Sequence, residues 1–141
     1  MSPTLVFERT AGAPTAVYPA GPQSGADVSG QRLAMVLGSP GGATIISYVA
    51  RVLLDVLAEG VSLQRAIESP HAASRNGPTE LENEPRAAAL AEILTSRGHR
   101  VRTGPMTSGL HGIIRSCDNA GANCILESGT DPRREGTARG R

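Results

Sequence analysis

Leu37-Gly38-Ser39-Pro40-Gly41-Gly42-Ala43-Thr44 is the stretch on which the reading of this chain turns. It joins an apolar run, Arg32-Leu33-Ala34-Met35-Val36-Leu37, to a longer apolar segment that begins at Ile45. The first run predicts a strand buried on both faces. In the second, Ile45, Val49, Val52, Leu53, Val56 and Leu57 recur at helical spacing, and Ile46 and Tyr48 widen the stripe. That pattern predicts a helix, capped near Gly60. A glycine pair between strand and helix can simply close a tight connection. It can also aim bare backbone N–H groups at a negative charge, because Gly41 and Gly42 stand where a helix begins and its N–H groups lack internal partners. A phosphate cradle of the Gly-x-x-x-x-Gly-Lys-Ser/Thr kind is excluded, since all 14 basic residues are Arg. The dinucleotide pattern Gly-x-Gly-x-x-Gly is absent as well.

Outward from this turn, Thr4-Leu5-Val6-Phe7-Glu8 reads as a strand. Residues 11–30, rich in Gly, Pro and Ser, read as a long loop or insertion, with a short strand at Ala16-Val17-Tyr18 as a second reading. Ser62 opens a short helix, Leu63 to Glu68, that Pro70 stops. Glu80-Leu81-Glu82 reads as a short edge strand. Pro85 suits the first turn of a third helix, which runs through Leu94 and ends at Gly98. His99 to Arg102 predicts a strand, and Gly112–Cys117 with Cys124–Ser128 a final hairpin. The order β–β–α–α–β–α–β–β–β gives an α/β (α+β) class, mostly antiparallel sheet with flanking helices. The 141 residues are expected to form one partial domain.

Composition narrows the function. A net charge of +1 excludes long-range attraction to nucleic acid or an anionic membrane. No apolar run approaches the roughly 18 residues that span a bilayer. Met1 to Ala20 lacks the basic and apolar regions of a signal peptide, and nothing here assigns a compartment. Cys117 and Cys124 bracket a hairpin turn and read first as free thiols, with a local disulfide second; two Cys without partners make no zinc site. His71, His99 and His111 read as surface or capping residues, and their spacing gives no Ser-His-Asp pattern. Glu80, Glu82 and Glu84 read as a solvated acidic loop, so neither a metal nor a cofactor is expected. Arg133, Arg134, Arg139 and Arg141, interleaved with Asp131 and Glu135, read as a mixed, solvated terminus. Within it, Asp131-Pro132-Arg133-Arg134-Glu135-Gly136 reads as a structural clasp in which an Arg pairs with Asp131 or docks on the sheet.

Several segments together resemble the γ-glutamyltransferase family, also called γ-glutamyl transpeptidase or glutathione hydrolase. Met1-Ser2-Pro3-Thr4-Leu5-Val6 is similar to its Met-Ser-Pro-Thr-Ile-Val segment, and Gly38-Ser39-Pro40-Gly41-Gly42 to its Gly-Ser-Pro-Gly-Gly motif. Ala66-Ile67-Glu68-Ser69-Pro70 resembles Ala-Ile-x-Ala-Pro, and Asp131-Pro132-Arg133-Arg134-Glu135-Gly136 the terminal Asp-Pro-Arg-Arg-Glu-Gly. The resemblance spans nearly the whole chain in one order. It implies the αββα sandwich of an N-terminal-nucleophile hydrolase, here the C-terminal part of the small subunit. It implies covalent catalysis, in which an N-terminal Thr takes a γ-glutamyl group from glutathione or a related amide and passes it to water or to an amino-acid or peptide acceptor. By resemblance, Gly41 and Gly42 are the backbone oxyanion donors, the only catalytic positions that carry over. The nucleophilic Thr and the paired serines of the glutamyl site lie upstream of the Met-Ser-Pro-Thr segment in the family. The expectation is therefore a truncated chain, inactive alone, with an exposed sheet edge and a complementary upstream segment or large subunit as partner. A fragment of a cephalosporin-acylase-like amidohydrolase and a non-catalytic anion- or partner-binding α/β module are the alternatives. Residues 11–30, the stretch from His71 to Pro78 and the two cysteines depart from the family pattern.

Overall fold

The computed structural model describes residues 2–9, 31–118 and 123–139. The expectations for residues 11–30, including a strand at 16–18, lie outside the described residues. Strand β1 (Ser2–Arg9) pairs antiparallel with β2 (Gln31–Ser39), as the β-rich composition of both predicts. A register shift between Val6 and Phe7 marks a bulge in β1. Helix α1 (Ile45–Leu57) follows the glycine turn through one 3₁₀ turn at Gly42–Thr44. Helix α2 (Leu63–Glu68), β3 (Ala72–Ala73), β4 (Thr79–Glu82), α3 (Ala88–Ser96), β5 (Val101–Gly104), β6 (His111–Cys117) and β7 (Cys124–Thr130) complete the order.

Two sheets result. The larger is antiparallel, in the order β1-β2-β6-β7, so among the described residues β1 and β7 are its edges. The smaller is β3-β4-β5, which places β4 in its centre; the edge-strand expectation for Glu80–Glu82 is corrected. Its β4 and β5 run parallel, because α3 supplies the crossover that a parallel pair needs.

The core lies between the larger sheet and helices α1 and α2. Met35 and Leu37 of β2 pack against Tyr48, Val49 and Val52 of α1 and Leu63, Ala66 and Ile67 of α2. Burial alternates along β2, so the expectation of a strand covered on both faces is also corrected. Its other face carries Val36, in register with half-exposed Leu5 on one side and Ile113 on the other. Helix α2 can approach β6 and β7 closely because Gly112 and Gly129 are cross-strand partners. A Cβ at Gly129 would lie 2.8 Å from Ile67 Cδ1 and 3.0 Å from Leu63 Cγ. The Glu127 carboxylate accepts from the Leu63 N–H at 2.7 Å, which satisfies one orphan donor at the start of α2. Cys117 and Cys124 are register partners at the end of the β6–β7 hairpin and form a disulfide, which overturns the first reading of two free thiols.

Candidate functional site

The glycine turn is built so that only glycine fits its first position. Gly41 has φ 133° and Gly42 φ 60°, both in the region that side chains disfavour. A Cβ on Gly41 would sit 2.6 Å from Tyr48 Cε2 and 3.6 Å from the Thr107 carbonyl oxygen. The Gly41 carbonyl is occupied, accepting from Thr44 Oγ1 at 2.7 Å and from the Thr44 N–H at 3.3 Å. The N–H groups of Gly41 and Gly42 donate to no group among the described residues. Gly42 is exposed, and Gly41 lines a cavity of about 470 Å³. Two adjacent amide donors on a fixed turn, one residue on the cavity and the other exposed, can stabilise an oxyanion without reorganising.

The turn is braced from behind. Buried Ser39 donates its hydroxyl to the Pro40 carbonyl at 2.6 Å and accepts from the Gly109 N–H at 3.3 Å. Gly109 has no room for a side chain, since a Cβ there would lie 2.8 Å from Pro40 Cγ and 2.7 Å from Arg134 Cδ. Arg134 in turn donates to the carbonyls of Ser108 at 3.0 Å and Thr107 at 3.2 Å. The C-terminal Asp-Pro-Arg-Arg segment thus holds the 107–110 loop against the glycine turn. That part of the clasp expectation is met in structure; the expectation of a solvated terminus is wrong for Arg133, whose side chain is 15% exposed, whereas Arg134 is exposed as expected.

Beneath the turn lies a buried polar network. Asp131 Oδ2 accepts from Ser108 Oγ at 2.6 Å and from the Leu110 N–H at 3.0 Å. Its Oδ1 accepts from the Arg133 N–H and Nη1, each at 3.0 Å. Arg133 forks onto Glu82 at 2.5 and 2.6 Å and onto the carbonyls of Ile67 and Ser69. Glu82 also accepts from the His71 N–H at 3.0 Å. Burial pushes the Arg133 guanidinium down, but the hydrogen bonds of Glu82 and Asp131 outweigh it and its pKa is raised. Burial would lift both carboxylates; for Glu82 the Arg133 bond, and for Asp131 the Ser108 hydroxyl and the Arg133 and Leu110 amides, hold each below its ordinary value instead.

His71 and Ser108 complete this network, and a proton inventory fixes their roles. The one Ser108 hydroxyl proton goes to Asp131, so His71 Nε2, 2.8 Å from Ser108 Oγ, must be the donor of that pair. Nδ1 is then the acceptor that faces Arg51 Nη2 at 3.4 Å. Burial, followed by the charges of Arg51 and Arg133, pushes the His71 pKa down to about 4, and the neutral ring packs on Tyr48 at 4.4 Å between centroids. Ser108, His71 and Asp131 therefore meet, yet they are no nucleophilic triad: the serine stands between acid and base, and all three are at most 1% exposed.

The sequence anticipates the glycine turn and the Asp131 clasp. It puts His71 on the surface, whereas His71 is buried; of its two readings of Glu80 and Glu82, a strand and a solvated acidic loop, the strand is the one found, since both lie on β4. Ser108 gives no sequence signal beyond its place before Gly109. Among the described residues, no group of three or more His, Cys, Asp or Glu could hold a metal ion.

A family model described as gamma-glutamyltranspeptidase matches residues 27–140. The Acylase ACY 1 proenzyme of Pseudomonas sp. (strain SE83) is 33% identical over 102 residues, which is 70% of this chain but only 18% of the proenzyme. Among solved structures, gamma-glutamyltranspeptidase from Pseudomonas nitroreducens, as a highly active mutant, superposes with TM-score 0.69 at 19% identity, covering 100% of this chain and 61% of that one. The Helicobacter pylori gamma-glutamyltranspeptidase mutant gives 0.66 at 24% identity, covering 73% and 55%. Cephalosporin acylase from Bacillus halodurans gives 0.64 at 21% identity, covering 78% and 21%. At these identities the structures establish the fold.

Proposed function

The chain belongs to the gamma-glutamyltranspeptidase family, and on that premise we propose that its residues supply the oxyanion-stabilising part of a γ-glutamyl-transferring site. The fold is that of the N-terminal-nucleophile hydrolases, and members of the family are processed into two subunits. The observation that carries the proposal is the glycine turn: two adjacent positive-φ glycines, their N–H groups without partners among the described residues, braced by Tyr48 and Thr107.

In this reading an N-terminal Thr, supplied by a complementary upstream segment, attacks the γ-carbonyl of glutathione or a related amide. Its own amine takes the hydroxyl proton. The carbonyl oxygen becomes an oxyanion, to which Gly41 and Gly42 donate. Collapse expels the amine, which takes a proton, and leaves a γ-glutamyl ester on the Thr. Water or an amino-acid or peptide acceptor then resolves that ester. Each amide donor would contribute about 3–4 kcal/mol to the transition state. By itself the chain would not turn over. The upstream partner would cover the open face of the larger sheet, where Leu5 is 54%, Ile113 48% and Leu126 67% exposed. A second reading, acyl transfer from another amide, draws on the higher identity to the acylase proenzyme than to any of the transpeptidase structures cited.

The test is release of chromophore from a γ-glutamyl anilide, by the chain alone and by the chain co-expressed with an upstream family segment carrying the Thr. Turnover by the pair, lost in Gly41→Pro/Gly42→Pro while circular dichroism stays unchanged, is the expected result. Turnover by the chain alone would overturn the assignment of the nucleophile to a partner. Silence from a folded pair would favour an anion-binding module.

A further inference from the structure

The cavity that Gly41 lines extends away from the turn to the smaller sheet, and its far wall carries three charges. Arg75 and Glu80 both line it and pair at 3.3 Å. Arg102 lines it too, on β5, in register beside Glu80 of β4. Among the described residues the Arg102 side chain makes no hydrogen bond or ion pair. The wall therefore holds two guanidinium groups against one carboxylate, and the second guanidinium is uncommitted. A fork of planar donors matches a carboxylate, and one uncompensated positive charge matches a monoanion rather than a dianion. A volume of about 470 Å³ is that of a small-molecule site.

We propose that this cavity is a subsite for a monocarboxylate, held by Arg102, with the Arg75–Glu80 pair setting the net charge. Which molecule brings the carboxylate rests on the reading above: the amine expelled from the γ-glutamyl group, or the acceptor that replaces it, would lie with its carboxylate on Arg102 and its reacting nitrogen toward the glycine turn. Arg102 is then a specificity residue that touches substrate at a distance from the bond being made.

Binding tests this without turnover. The ¹⁵N-labelled chain is titrated at low ionic strength with N-acetylglycine and with its neutral counterpart, N-acetylglycinamide, following amide shifts at Arg102, Gly104 and Thr107. The acid is expected to bind at least tenfold tighter than the amide. Arg102→Gln should abolish that difference, Arg102→Lys should restore part of it, and Glu80→Gln should tighten the acid. Equal affinities for acid and amide, an undiminished difference in Arg102→Gln, or sulfate binding tighter than the acid would each overturn the subsite. Loss of the γ-glutamyl reading, seen as a silent reconstituted pair, leaves a positive titration standing; a negative titration beside an active pair removes the subsite alone.

Discussion

At the scale of single residues, the glycine turn and His71 show two different relations between sequence and structure. The turn at Gly41 and Gly42 is legible because its geometry is local: a strand, a turn and a helix in direct succession leave little else for adjacent glycines to form. His71 is not, because its partner Ser108 is 37 positions away and spacing carries no record of such a contact. Its burial has a measurable consequence. Above its ordinary pKa of 6.5 the ring is neutral whether the chain is folded or not. Between 6.5 and about 4 the unfolded chain binds a proton that the folded chain refuses, so stability falls as pH drops through this window. The loss should reach roughly 3 kcal/mol, and Asp131 and Glu82, held below their ordinary values, extend it to lower pH. Urea midpoints measured from pH 7 to 4 should fall steeply for the native chain and much less for His71→Gln. Parallel curves would mean that His71 is not buried as a neutral ring.

At the scale of elements, hydrophobic period locates the helices and most strands, since α1, α2 and the β6–β7 hairpin each have a self-contained pattern. What period cannot supply is how elements meet. Glu80-Leu81-Glu82 reads as an edge because two of its three residues are acidic, yet β4 sits between β3 and β5. Arg133, some 51 positions further on, neutralises Glu82 there. The same Arg joins β4 to the end of α2 through the Ile67 and Ser69 carbonyls and to Asp131 beside the glycine turn. Its side chain is 15% exposed and that of Glu82 12%, so removing one partner strands a nearly buried charge. Arg133→Met should cost about 3–5 kcal/mol in chemical denaturation, and Arg133→Met/Glu82→Leu less than the sum of its two single changes. Strict additivity would show that the fork is a surface pair without structural weight.

At the scale of the whole molecule, the larger sheet has one face packed on α1 and α2, and among the described residues its other face, with Leu5, Ile113 and Leu126, stays exposed. The sequence conveys this only through resemblance; read alone, β2 is apolar enough for cover on both faces, and so it would be once a second sheet stood against Val36 and Ile113. The C-terminal Asp-Pro-Arg-Arg segment has a part in the same architecture: through Arg134 and the 107–110 loop it braces the turn, whose Gly41 lines the cavity. The most direct measurement is kcat of the reconstituted pair after replacing the Gly42 amide by a backbone ester, which removes one N–H and leaves every side chain in place. A fall of about 10²–10³ in kcat, with KM little changed, is the predicted result. An unchanged kcat would contradict the assignment of the glycine turn to the oxyanion.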